Sequence, residues 1–127
     1  MEKTALIIDD NKSNRDVLHM MLKLNGVKPV ALETPRYLER AFEGNERIDV
    51  VFLDLEFPNY SGYDLVKQFK ADARLQSTPI IAYSVHSSEV EAIRAAGFDG
   101  FLSKPLEAHL FAEQLARILK GESVWSF

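Results

Sequence analysis

The 127-residue chain contains no cysteine, so disulfide cross-links and thiolate chemistry are excluded, and a reducing compartment suits it. Its apolar runs, such as Ala5-Leu6-Ile7-Ile8 and Val50-Val51-Phe52-Leu53, fall far short of the roughly 20 residues that cross a bilayer. The opening Met1-Glu2-Lys3 enters a strand-like run at once and lacks the layout of a signal peptide. There is no basic run and no Lys/Arg-rich helix face, and the net charge is −4, which speaks against direct nucleic-acid binding. No internal repeat, low-complexity stretch or linker interrupts the chain. The length suits one domain over 1–127, with a core over about 3–121 and a tail, 122–127, that has no clear pattern. These absences predict a cytoplasmic protein without membrane insertion.

What is present is an ordinary globular balance: 46% hydrophobic and 27% charged residues, both signs interspersed. Five short runs read as strands: Thr4–Ile8, Lys28–Ala31, Val50–Leu53, Ile80–Tyr83 and Gly100–Leu102. Most are continuously apolar, as in strands buried on both faces of a parallel sheet. Pro29 cannot donate to a ladder and places the second run at an edge. Helical spacing follows each run. Leu18, Met21 and Leu22 form one face of a first helix. Thr34 caps a second helix starting at Pro35 that buries Leu38, Ala41 and Phe42. Leu65, Val66 and Phe69 mark a third. Ser87 or Ser88 caps a fourth, which closes near Gly97, and Phe111, Leu115 and Ile118 mark a fifth. Alternating strands and helices predict an α/β fold, a flavodoxin-like (βα)5 three-layer sandwich with parallel strand order 2-1-3-4-5. Ligands of such folds bind beyond the carboxyl ends of strands 1 and 3.

Residues with chemical capacity stand at those ends. Strand 1 runs into Asp9 and Asp10, and strand 3 into Asp54. Three carboxylates at one mouth repel one another and recruit a cation, and hard oxygen ligands suit magnesium. The bland alternative for Asp9 and Asp10 is a cap on the first helix, a job that Asn11 or Ser13 can share. Strand 4 ends in Ser84 and strand 5 in Ser103-Lys104-Pro105. Taken singly, these are more often a loop serine and a solvated lysine. Taken together, acidic pair, aspartate, hydroxyl and lysine occupy the ends of strands 1, 3, 4 and 5.

Four stretches carry a resemblance: Leu6-Ile7-Ile8-Asp9-Asp10-Asn11, Val51-Phe52-Leu53-Asp54 continuing to Ser61-Gly62, Pro79 to Ser84, and Ala96 to Pro105. In this order and at these separations the chain resembles the receiver domains of bacterial two-component response regulators, over nearly its whole length. The resemblance implies a single-domain signalling switch rather than an enzyme acting on other molecules. Asp54 would accept a phosphoryl group from a sensor histidine kinase or a histidine phosphotransfer protein. Asp10 and Asp54, with the Glu56 backbone carbonyl, would ligate magnesium or manganese, and Asp9 would act largely through water. Ser84 and Lys104 would bind the phosphoryl oxygens. Phe101 would be an aromatic switch that turns inward when Ser84 moves, at the centre of an output face made by helix 4, strand 5 and helix 5. The Lys104–Pro105 bond would be cis, and the protein a monomer or weak dimer acting on a downstream protein target.

Some positions depart from the family's usual pattern. Val85 stands where a smaller residue is usual, and its bulk narrows access to Asp54. Glu56 adds negative charge two residues beyond the acceptor, and His86 lies two beyond Ser84. We expect these three to set the lifetime of the phosphoryl group. Two other function classes compete. One is a phosphorylation-independent scaffold. The other is a haloacid-dehalogenase-like phosphatase, on the strength of Asp54-Leu55-Glu56, although that family's nucleophile loop follows its first strand and needs a second aspartate as acid.

Overall fold

The computed structural model describes residues 2–44, 47–55, 60–85 and 89–126. In chain order the elements are β1 (Lys3–Ile8), α1 (Lys12–Leu24), β2 (Val27–Leu32), α2 (Leu38–Phe42), β3 (Val50–Asp54), α3 (Gly62–Ala71), β4 (Ile80–Ser84), α4 (Val90–Ala96), β5 (Gly100–Ser103), α5 (Ala108–Leu119) and β6 (Trp125–Ser126). They form one parallel sheet in the order β2-β1-β3-β4-β5-β6. The expected order 2-1-3-4-5 is present, with Pro29 on the outer strand and a sixth strand added beyond β5. No helix among the described residues is long and apolar enough to cross a membrane.

The apolar strands divide their side chains between two faces with period two, because successive Cβ atoms of a strand point to opposite sides. Leu6, Ile8, Val51, Leu53, Ile80, Ala82 and Phe101 pack against α2, α3 and α4. Ala5, Ile7, Val50, Phe52, Ile81, Tyr83 and Leu102 pack against Leu18, Met21 and Leu22 of α1 and Phe111, Leu115 and Ile118 of α5. Both faces are therefore dry. At roughly 25 cal/mol per Å2 of apolar surface removed from water, this double burial is the main force holding the carboxyl ends of β1, β3, β4 and β5 together.

Two expectations need correction. The second helix is not one helix from Pro35: Thr34 does cap, accepting the Arg36 amide at 3.3 Å, but Pro35–Tyr37 is a 3-10 turn and only five residues of α-helix follow. Ala41 is buried, whereas Leu38 and Phe42 are only partly so, and Phe42 lies under the Arg74 guanidinium, 4.0 Å from its ring centroid. The Ser87 or Ser88 cap lies outside the described residues.

The tail is the second correction. Val124 accepts the Phe101 amide at 2.9 Å, and Trp125 and Ser126 pair with Phe101 and Leu102. Val124 is buried on the α1/α5 side and Trp125 packs on the other, with Arg94 of α4 stacked 4.1 Å from its ring. Gly100 makes this possible: a Cβ there would stand 2.6 Å from the Val124 carbonyl oxygen. A strand of two residues is too short to show a period in the sequence, so only its partners reveal it.

Candidate functional site

The carboxyl ends of β1, β3, β4 and β5 converge on one mouth, and the local sequence explains how each group is held. Asp9 follows β1 directly and is fully buried. Its Oδ1 accepts the Asn11 amide at 2.8 Å, and its backbone carbonyl accepts Arg15 Nη1 at 2.9 Å. The cap of α1 is Asn11, whose Oδ1 accepts the Asn14 amide at 3.0 Å. Asp9 and Asp10 are thus released from capping. Asp10 is exposed beside its buried neighbour.

Asp54 is the last residue of β3 and is 2% exposed. One carboxylate oxygen from each of Asp9, Asp10 and Asp54 lies within 4.8 Å of the others. All three ligand atoms are hard oxygens, a donor set that fits magnesium or manganese and not a soft metal. Lys104, just past β5, places Nζ 3.2 Å from Asp54 Oδ1 and 3.5 Å from Asp9 Oδ2. Its backbone amide donates to the Ser84 carbonyl at 3.0 Å, which ties the lysine loop to the end of β4. The Lys104–Pro105 bond is cis, as expected. Ser84 closes β4 and is fully buried. Gly62, where α3 begins, has a structural reason: a Cβ there would meet Leu55 Cδ2 at 2.8 Å and the Asp54 carbonyl at 3.3 Å, so glycine lets the helix approach the strand end.

Asp9, Asp10, Asp54, Ser84 and Lys104 are therefore brought together. Phe101 is fully buried on the α4 side of the sheet, with β6 running beside it. The expected output face is accordingly not β5 between α4 and α5 alone, because β6 occupies the outer edge of β5. Val85 is 58% exposed at the rim. Glu56 and His86 lie outside the described residues.

Sequence reasoning gave Tyr83 no part in the site. Its hydroxyl donates to Asp9 Oδ2 at 2.5 Å, and its ring lies under Lys104 Nζ at 4.5 Å from the centroid. Burial, followed by the charge of Asp9, pushes the phenol far above its usual pKa, so it remains a neutral donor at any physiological pH. The available signal was a lone phenol in an otherwise aliphatic strand, next to the hydroxyl already singled out.

Comparison with known proteins follows the same lines. The response regulator receiver domain model matches residues 5–116. Among curated relatives, the polar-differentiation response regulator DivK of Brucella anthropi is 28% identical over 122 residues, covering 94% of this chain and 98% of that protein. Among solved structures, the chemotaxis response regulator CheY4 of Vibrio cholerae superposes with a TM-score of 0.81 at 25% identity, covering 93% and 99% of the two chains. The receiver domain of a signal transduction histidine kinase from Syntrophus aciditrophicus gives a TM-score of 0.79 at 26% identity, covering 94% and 91%. The matched span runs from β1 into α5 and takes in every strand end that contributes to the mouth, and on that ground the chain belongs to the response regulator receiver domain family.

Proposed function

We propose that Asp54 is the phosphoacceptor of a signalling switch. The observation that carries this reading is the 3.2 Å contact between Lys104 Nζ and a buried Asp54 carboxylate that stands beside two further carboxylates. A carboxylate oxygen of Asp54 attacks the phosphorus of a phosphohistidine, the P–N bond breaks, and its electron pair returns to the imidazole. Such transfers need positioning and neutralisation of charge more than covalent help from the protein. Lys104 supplies a positive point charge and Ser84 a hydroxyl toward the phosphoryl oxygens. Asp10, Asp54 and the Glu56 carbonyl would hold magnesium or manganese, with Asp9 acting largely through water, and the bound ion would neutralise charge on the phosphoryl oxygens. The protein's own chemistry is confined to gaining and losing this phosphoryl group. Glu56, Val85 and His86 set how long it persists, in a cytoplasmic protein whose output is contact with a downstream protein.

The phosphoryl donor is a sensor histidine kinase or a histidine phosphotransfer protein. Two features support docking of a helical donor along α1. Val17, Met20 and Leu24 are exposed at helical spacing on that helix. A cleft of about 260 Å3, lined by Asn14, Val17, Tyr83, Lys104, Pro105 and Leu106, shares Val17 with this stripe and Lys104 with the site. An apolar stripe continuous with the reacting groups fits a partner that must present its histidine there.

Incubation with acetyl phosphate and magnesium should add one phosphoryl mass, and Asp54→Asn should abolish the addition. Phosphate recovered on Ser84 or on a histidine overturns the assignment. Faster loss of phosphate in Glu56→Ala and in His86→Ala, without additivity in the double variant, supports a reading in which the two side chains act together to shield the phosphoryl group from water.

A further inference from the structure

Tyr83 reaches two parts of the mouth with two parts of one side chain. It is the register partner of Asp54 on the neighbouring strand, and its ring is seated in the α1/α5 core. The hydroxyl ends on Asp9 Oδ2, 2.5 Å away, and the ring face carries the Lys104 ammonium. Asp9 is consequently saturated in a way that Asp10 is not. One oxygen receives the Asn11 amide, and the other receives both the phenol and, at 3.5 Å, the lysine. A buried carboxylate needs such donors to persist as an anion, and each donor it accepts is one it must share or give up to serve a cation.

We propose that Tyr83 is a positioning residue with two separable jobs: its hydroxyl holds Asp9 in a hydrogen-bonded state that weakens the pocket's grip on a divalent cation, and its ring aims Lys104 at Asp54. The first job follows from competition. The phenol stabilises the metal-free carboxylate without neutralising it, so the metal-free state gains more than the metal-bound state does. The second follows from the flexible four-carbon stem of lysine, which by itself selects no direction, and from the attraction of an ammonium to an aromatic face. The two jobs depend on different atoms, so substitutions can divide them. Tyr83→Phe removes the hydroxyl and keeps the ring; Tyr83→Leu removes both.

The inference rests on the phosphoacceptor reading above, and the test separates the two. Magnesium is titrated calorimetrically into each metal-free protein, and phosphorylation by acetyl phosphate is then timed at saturating magnesium. Tyr83→Phe should bind magnesium roughly three- to tenfold more tightly, the change expected for one hydrogen bond of ordinary net strength. Its saturated phosphorylation rate should fall less than that of Tyr83→Leu, because the ring still carries Lys104. Tyr83→Leu should show the same gain in magnesium affinity and a rate at saturating magnesium about tenfold lower, reflecting the misplaced lysine. A purely structural tyrosine would lower the melting temperature of both variants while moving neither the affinity nor the saturated rate, and that result overturns the proposal. Unchanged or weaker magnesium binding by Tyr83→Phe overturns the hydroxyl's role, and an unaltered rate in Tyr83→Leu overturns the ring's. Failure of the unsubstituted protein to bind magnesium or accept phosphate counts instead against the phosphoacceptor reading itself.

Discussion

The two ends of the sheet use aspartate in opposite ways. At the amino end, Asp49 accepts the Thr4 amide at 2.8 Å and lies 3.1 Å from Arg47 Nε and 3.9 Å from Lys3 Nζ. Asp99 likewise accepts the Ile80 amide at 2.8 Å and pairs with Lys70. Each closes the start of a strand and is matched by a cation. At the carboxyl end, Asp9, Asp10 and Asp54 crowd within 4.8 Å, opposed by the Lys104 ammonium, while Arg15 is engaged on the Asp9 carbonyl. The difference separates a rivet from a reactive group. A carboxylate matched by its own cation satisfies a backbone donor and goes no further, whereas three carboxylates facing the single Lys104 ammonium store repulsion that a cation or a change of charge relieves.

The sharpest way to break this contrast is at Asp54. Asp54→Asn should lose phosphorylation entirely by mass spectrometry, with no loss of stability in chelator beyond about 1 kcal/mol, because an amide still fits the end of β3. A variant that remains phosphorylated would make the carboxyl end no more special than the amino end. Next in size is Asp99→Ala. It strips the Ile80 amide and Lys70 of their acceptor and should cost about 2 kcal/mol in urea denaturation, while magnesium affinity by calorimetry stays the same. A weakened metal site would mean that the two ends are not independent.

Neighbouring substitutions sharpen the contrast within the mouth. Repulsion alone would make Asp9→Asn and Asp10→Asn both stabilising in chelator, but the hydrogen bonds of Asp9 split the pair. Asp9→Asn turns an amide –NH2 toward groups that are themselves donors and should cost about 1–3 kcal/mol. Asp10→Asn removes an exposed charge from the cluster and should raise stability by about 0.5 kcal/mol. Thermal melts of the two variants in chelator decide it, and equal shifts would show that the Asp9 bonds contribute nothing.

The smallest effect belongs to the amino end at acid pH. The Arg74 guanidinium, by hydrogen bonding first, holds the carboxyls of Asp72 and Glu39 below their ordinary values of 3.8 and 4.5. A carboxyl depressed on folding contributes stability that is present above its unfolded pKa and lost as pH falls through the folded one. Arg74→Gln should therefore lower stability slightly at pH 7 and flatten the fall below about pH 4, the two proteins converging once both carboxyls are protonated. An identical acid limb in both proteins would assign the fall to other carboxyls.

The first five strands, their order and the five groups at the mouth were legible because each rests on a local pattern. Apolar runs end abruptly in Asp9-Asp10, Asp54, Ser84 and Lys104, and a parallel sheet turns those endings into one place. Pro29 marked the β2 edge for an equally local reason, its missing donor. What was illegible depends on partners distant in sequence. Tyr83 reads as one more core residue until β1 sets Asp9 against its hydroxyl, 74 positions away. The tail reads as patternless until β5 offers Gly100 and an open edge, since a two-residue strand has no periodicity of its own. The second helix reads longer than it is because a Thr34 cap followed by Pro35 opens a 3-10 turn as readily as an α-helix, and Pro35–Tyr37 is such a turn. By itself, then, the sequence determined the alternation of elements and which functional groups end each strand, since both follow from short-range periodicity and side-chain chemistry. Tertiary structure decided which carboxylate is saturated and which is bare, and what covers the edge of β5, because hydrogen-bond satisfaction is settled only when separate segments meet.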